Sequence, residues 1–217
     1  MPRFLLIREN MPFLLGKKLE MTQIFNEKGD AVPVTLVEAG PCFVLQTKTK
    51  EGKDKYDSIQ VGFEKKDKKV KKTEKGKEYK YLKEFSNDES GIKNYELGQE
   101  INASVFKEGD SVKISGISKG KGFQGGVKRY GFRGHHQTHG TKHEIRTIGS
   151  VGATDPGRVF PGKRMPGHMG VERISVRNLK IVKIDLENNL IAIKGAIPGR
   201  RGTLIEIRSS AVNKKKS

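Results

Sequence analysis

The chain has 217 residues, with 43 Lys and Arg against 25 Asp and Glu and a net charge of +18 at pH 7. A potential of that sign draws polyanions, nucleic acid first and an anionic membrane surface second. No apolar run approaches the roughly 18 to 20 residues of a spanning helix, and Phe4 to Ile7 is too short for the core of a secretory signal. The expected compartment is therefore the cytoplasm, with no membrane as partner. One cysteine, Cys42, excludes an internal disulfide and any multi-Cys zinc site, and its neighbours Phe43-Val44-Leu45 make it a packed side chain.

Met1 to Asn10 lacks a pattern, which leaves Met11 as a second candidate start; residues 1–10 and 211–217, the latter with Lys214-Lys215-Lys216, are expected to be flexible termini. Val32 to Ala39, Cys42 to Thr47, Ser58 to Phe63 and Ser111 to Ser118 are short runs rich in Val, Ile and Thr, bounded by Gly, Pro and charge, and each predicts a strand. Lys48 to Lys83 holds 14 Lys and 7 acids around few apolar residues. Glu64 to Lys80 is accordingly expected to be an exposed ribbon or loop, as a solvated face or an RNA contact, within a charged stretch at about 64–85. Phe123 to Tyr130 predicts one short helix despite Gly125 and Gly126. Arg173-Ile174-Ser175-Val176-Arg177 alternates, placing Ile174 and Val176 on a packed face and the arginines in water. Ile181 to Asp185 and Leu190 to Lys194 flank Leu186-Glu187-Asn188-Asn189, a hairpin in which Asn tolerates left-handed backbone. Leu204 to Arg208 predicts a last strand. Short strands so regularly spaced predict a mainly β fold closed into a barrel, because closure removes edges.

Residues 116–170 stand apart. They hold 14 of the 26 glycines, 10 of the 43 Lys and Arg and all five histidines, with only Glu144 and Asp155 as acids. So few aliphatics cannot offset the entropy of ordering the backbone, so the segment is expected to order only when an external host holds it. Cations beside bare glycine backbone fit a host with surface phosphates, and RNA is the first candidate. Lys119, Lys121, Lys128, Arg129, Arg133, Lys142, Arg146, Arg158, Lys163 and Arg164 are the expected phosphate contacts; His139, His143 and His168 are expected to fill hydrogen-bonding gaps, and Gly120, Gly122, Gly125, Gly126 and Gly140 to allow close approach. Phe123 and Tyr130 are read as packing residues before base-stacking ones.

Other chemistry lacks its parts. Ser118 to Gly126 is glycine-rich after a strand, but Gly120-Lys121 is followed by Gly122, not the Ser or Thr that a P-loop needs for magnesium. His135, His136, His139 and His143 have intervals that would align ligands on a helix, yet Gly134 and Gly140 oppose that helix and Arg133, Lys142 and Arg146 would repel a dication. No nucleophile, base and acid set is present, because Ser118 and Ser150 lack the context of an elbow. No enzyme activity, metal or cofactor is expected. The rivals are a metal-dependent enzyme acting on RNA, which requires a loaded histidine cluster, and a free-standing RNA chaperone or translation factor that cycles on and off ribosomes.

Gly16-Lys17-Lys18-Leu19-Glu20-Met21-Thr22-Gln23-Ile24-Phe25, Gly116 to Gly125, His139-Gly140, Gly149-Ser150-Val151-Gly152 and Asp155-Pro156-Gly157-Arg158-Val159-Phe160 together resemble the bacterial L-three family of large-subunit ribosomal proteins, in the right order from about Met11 to Ser210. The resemblance implies a six-stranded barrel of the translation-protein type, a body at 11–115 and 171–210, and a long extension at 116–170 that enters the large-subunit rRNA towards the peptidyl transferase centre. It also implies a cytoplasmic, ribosomal location, a role in early subunit assembly without catalysis, neighbours from the L-fourteen and L-nineteen families, and no homo-oligomer. Three positions depart from the family pattern. Ala153-Thr154-Asp155 replaces the glutamine that some members methylate, so that modification is not expected; Glu20 replaces a usual glycine, and Lys65 to Phe85 is abbreviated.

Overall fold

The computed structural model describes residues 12–52, 54–66, 76–86 and 95–210. Among these residues the regular structure is mainly β, with one five-residue α-helix and a 3-10 turn at Ala103–Val105. It divides into two compact units, Met1–Ile117 with Ile174–Ser217, and Ser118–Arg173. The expected flexible termini, the Met11 start and residues 67–75 of the charged stretch lie outside the described residues.

In the first unit six strands form a ring. Its order is β1 (Phe13–Phe25), β12 (Leu204–Ser209), β7 (Ser111–Ile117), β10 (Arg173–Asp185), β11 (Leu190–Lys194) and β2 (Ala31–Ala39), with β2 paired back to β1. A second antiparallel sheet runs β5 (Tyr79–Ser86), β4 (Ser58–Lys65), β3 (Cys42–Lys48) and β6 (Glu100–Ile101). The runs Cys42 to Thr47 and Ser58 to Phe63 are strands, as their composition predicts, but they build this second sheet and not the ring. Of the ribbon or loop expected for the charged stretch, the described ends form a ribbon. Strand β4 continues to Lys65, β5 begins at Tyr79, and the Lys66 amide donates to the Glu78 carbonyl at 2.9 Å beside them.

The two sheets share one core. Phe13, Leu14, Leu15 and Gly16 are buried in succession because β1 is covered on both faces. Phe13 stacks on Phe85 of β5 with ring centroids 4.2 Å apart, and Lys17, on the same face, reaches Glu64 of β4 at 2.8 Å. Strand β12 repeats this division. Ile205 and Ile207 are buried, while Glu206 meets Lys83 at 3.7 Å and the Arg208 guanidinium lies 4.8 Å from the Phe85 ring. Each fully buried aliphatic or aromatic side chain in this cluster contributes about 1.5 to 3 kcal/mol. Cys42 is packed in it, as its neighbours predict; desolvation pushes its thiol up to about 12 against a weak hydrogen bond to the Leu15 carbonyl.

Strand β10 carries the chain back into the ring and on to its partner β11. The hairpin between β10 and β11 is the expected one, with Asn189 at φ +52° and the Asp185 carboxylate accepting from the amides of Glu187 and Asn188 at 3.1 and 3.2 Å. Residues 173–177 are not an isolated strand but the start of 13-residue β10, and Ile174 is 43% exposed. The core takes from β10 only Ile181, with Leu179 and Ile184 against it, so the predicted packed face of Ile174 and Val176 runs out beyond the core.

Candidate nucleic-acid interface

The unit Ser118–Arg173 is organised by its two limbs. The Ser118 amide donates to the Glu172 carbonyl at 2.9 Å and the Glu172 amide to the Ser118 hydroxyl at 3.2 Å. Further out, the Lys121 amide donates to the Met169 carbonyl at 2.9 Å and the Met169 amide to the Gly122 carbonyl at 3.0 Å. This leads into a short ribbon in which β8 (Phe123–Gln124) pairs with β9 (Gly167–His168). Gly170 sits where the limbs touch: its φ is +85°, and a Cβ there would strike the Lys119 carbonyl.

Beyond the ribbon, α1 (Gly126–Tyr130) ends at Gly131, whose left-handed backbone lets its amide return to the Val127 carbonyl at 3.0 Å. The helix is shorter than the predicted Phe123 to Tyr130, because Phe123 and Gln124 are committed to the ribbon. Gly126 is packed against Ile148 and Phe132, and a Cβ would collide with both. Gly134, at φ +72°, faces the Ile145 carbonyl, to which the His135 amide also donates at 3.0 Å. The segment thus has a local fold, where composition implied order only on a host. Composition is right about the missing core: between Ser118 and Arg173, Gly126 is the one buried residue.

The two units differ in how their charged side chains are partnered. In the first unit several cations meet carboxylates: Lys17 and Lys80 with Glu64 at 2.8 and 2.9 Å, Lys48 with Glu84 at 2.8 Å, Lys50 with Asp57 at 3.7 Å, and Arg201 with Glu20. Burial works against ionisation of Glu64, but the hydrogen bonds from Lys17 and Lys80 prevail and hold it below the usual carboxylate range. Hydrogen bonding from Lys48 does the same for Glu84. In the second unit none of the ten predicted phosphate contacts forms an ion pair among the described residues. Lys119, Lys121, Lys128, Arg133, Lys142, Arg146, Arg158, Lys163 and Arg164 are all exposed.

Arg129 is the exception. Its guanidinium donates to the Met165 carbonyl at 2.9 Å, occupies the space beside Gly167, and lies 4.9 Å from the Tyr130 ring, on which Arg164 also stacks at 5.6 Å. It fastens α1 to the return limb, a role no sequence signal marked. Gly126 is likewise a packing glycine, whereas Gly120, Gly122, Gly125 and Gly140 are exposed. His139, His143 and His168 are exposed, His139 with φ +57°. The four histidines from His135 to His143 do not converge; among the described residues no group of three or more His, Cys, Asp or Glu is placed to hold a metal ion. Tyr130 packs as read, edge-on to Phe132 at 6.4 Å, but Phe123 does not pack: it is 77% exposed.

These two kinds of glycine separate in a simple test. Gly125 has φ −68° and open space around it, so Gly125→Ala is expected to leave thermal stability unchanged. Gly126→Val overpacks against Ile148 and Phe132 and is expected to cost the second unit about 1 to 3 kcal/mol, read as loss of amide protection in α1. Equal protection in the two variants would refute the division.

The model of the family described as ribosomal protein L3 matches residues 90–189. The large ribosomal subunit protein uL3 of Carboxydothermus hydrogenoformans is 48% identical over 209 residues, covering 93% of this chain and 98% of that protein. The chain belongs to the ribosomal protein L3 family. Its relatives of that name in Pelotomaculum thermopropionicum and Thermosipho africanus are each 48% identical, over 91% and 92% of this chain and 96% and 98% of their own length. The L3 family is a structural, non-enzymatic family of the large subunit, and the stretch its model matches includes the whole of Ser118–Arg173.

Proposed function

We propose that the protein is a structural constituent of the large ribosomal subunit that binds 23S-type rRNA directly through Ser118–Arg173, in the cytoplasm and without catalysis. The observation that carries this reading is the contrast in charge. The first unit pairs Lys17, Lys48, Lys50, Lys80, Lys83 and Arg201 with carboxylates, while nine exposed cations of the second have no carboxylate partner among the described residues. Side chains left so in a unit without a core are matched by phosphates of crowded rRNA, where glycine lets the backbone come close.

In the finer reading, the six-strand ring is a closed barrel of the translation-protein type that stays on the outer side of the subunit. The extension is directed towards the peptidyl transferase centre, the protein supports early assembly, and members of the L-fourteen and L-nineteen families are its neighbours. Sedimentation tests the central claim. A tagged copy is expected to travel with large subunits at one per particle through a high-salt gradient, enclosed by many contacts at once. Release to the top of the gradient would make it a cycling factor instead.

A further inference from the structure

We propose that Phe123 and His168 form a stacking platform for unpaired nucleobases. The proposal rests on the RNA-binding reading above and adds the chemical group that this part of the unit recognises.

The ribbon of β8 and β9 sets Phe123 opposite His168 and Gln124 opposite Gly167. Opposed residues of an antiparallel pair share a face, so the ribbon has a ring-bearing face and a Gln–Gly face. The Gln–Gly face is in use. Arg129 fills the space beside Gly167 and is tied down by the Met165 carbonyl and the Tyr130 ring. Gln124 donates to the Lys121 carbonyl of its own limb.

The other face is bare. Phe123, at 77%, is the most exposed large apolar side chain among the described residues, and His168 beside it is exposed as well. Neither ring contributes to packing within the unit. The ribbon that presents them is nevertheless fixed, by the hydrogen bonds between Lys121, Gly122 and Met169 that precede it. Rings held in advance lose little freedom on binding. The nine exposed cations named above select a polyanion as the partner, and within a polyanion a flat unpaired base is what an aromatic and an imidazole ring stack upon. Phosphate contacts alone leave an exposed phenyl ring unexplained.

The chain contains no Trp, so Phe123→Trp introduces a single indole where the platform lies. The full-length variant is titrated with a large-subunit rRNA transcript while retention of labelled RNA on a filter reports binding independently. Indole emission is expected to fall in step with retention. Phe123→Leu and His168→Leu, with melting temperatures unchanged, are each expected to weaken binding about 5- to 150-fold without altering the log–log salt slope, since no phosphate contact is lost. Retention with constant emission, together with undiminished affinity of Phe123→Leu, overturns the proposal. So does a slope reduced by about one in His168→Leu, which would make His168 a phosphate ligand. If the unaltered protein fails to retain the transcript, the RNA-binding reading fails first and the platform falls with it.

Discussion

Binding of the full-length protein to a large-subunit rRNA transcript is expected to weaken about 10⁴- to 10⁵-fold when monovalent salt rises from about 50 to 200 mM. Of the ten predicted phosphate contacts, Arg129 is turned to the Met165 carbonyl, which leaves nine facing outward. Each phosphate neutralised releases counterion, so nine contacts give a log–log slope of about −6 to −8. A slope shallower than about −3 would mean that most of these side chains stay in water. Lys119→Ala with Lys121→Ala is the internal check, since removing two outward cations should reduce the slope by about two.

Replacing Phe85 by Ala is expected to destabilise the first unit by about 3 to 5 kcal/mol, measured by denaturant unfolding. Phe85 joins the two sheets: it is buried on β5, stacked on Phe13 of β1, and covered by the Arg208 guanidinium from β12. Truncation empties that junction and strips Phe13 and Arg208 of their ring contact. A loss below about 1 kcal/mol would show that the four-stranded sheet does not share a core with the ring.

Phe85 also marks where sequence reading failed and why. In β5, Tyr79, Tyr81, Lys83 and Phe85 alternate with Lys80, Leu82 and Glu84, and Tyr81 packs against the core that holds Phe85. The period of two was there, but the surrounding lysines outnumber it in any composition count. Strand β1 was hidden by the opposite effect. With Phe13, Leu14 and Leu15 all buried, its first residues have no polar face to alternate with, and Lys18 is buried too, donating to the Ile197 and Gly199 carbonyls at 2.9 and 3.1 Å. Alternation shows which residues share a face and not which strands pair; hence β3 and β4 were legible as strands but their separate sheet was not.

The candidate site divides in the same manner. That its cations face water was readable, because a stretch with two acids and few aliphatics has nothing else to do with them. Which glycines serve the fold was not readable. Gly134 and Gly170 are set apart by a positive φ and a nearby carbonyl, and Gly126 by two apolar neighbours, all contacts at a distance in sequence.

At the neck, Ser118 and Glu172 zip the two limbs together. The strands that lead out of and back into the ring, β7 and β10, are themselves neighbours in it, with the Ser115 and Ser175 hydroxyls 2.7 Å apart. The excursion is therefore a detour that starts and finishes at adjacent staves, and the hoop is continuous without it. Selection can lengthen, shorten or rewrite the detour while the hoop's register stays untouched.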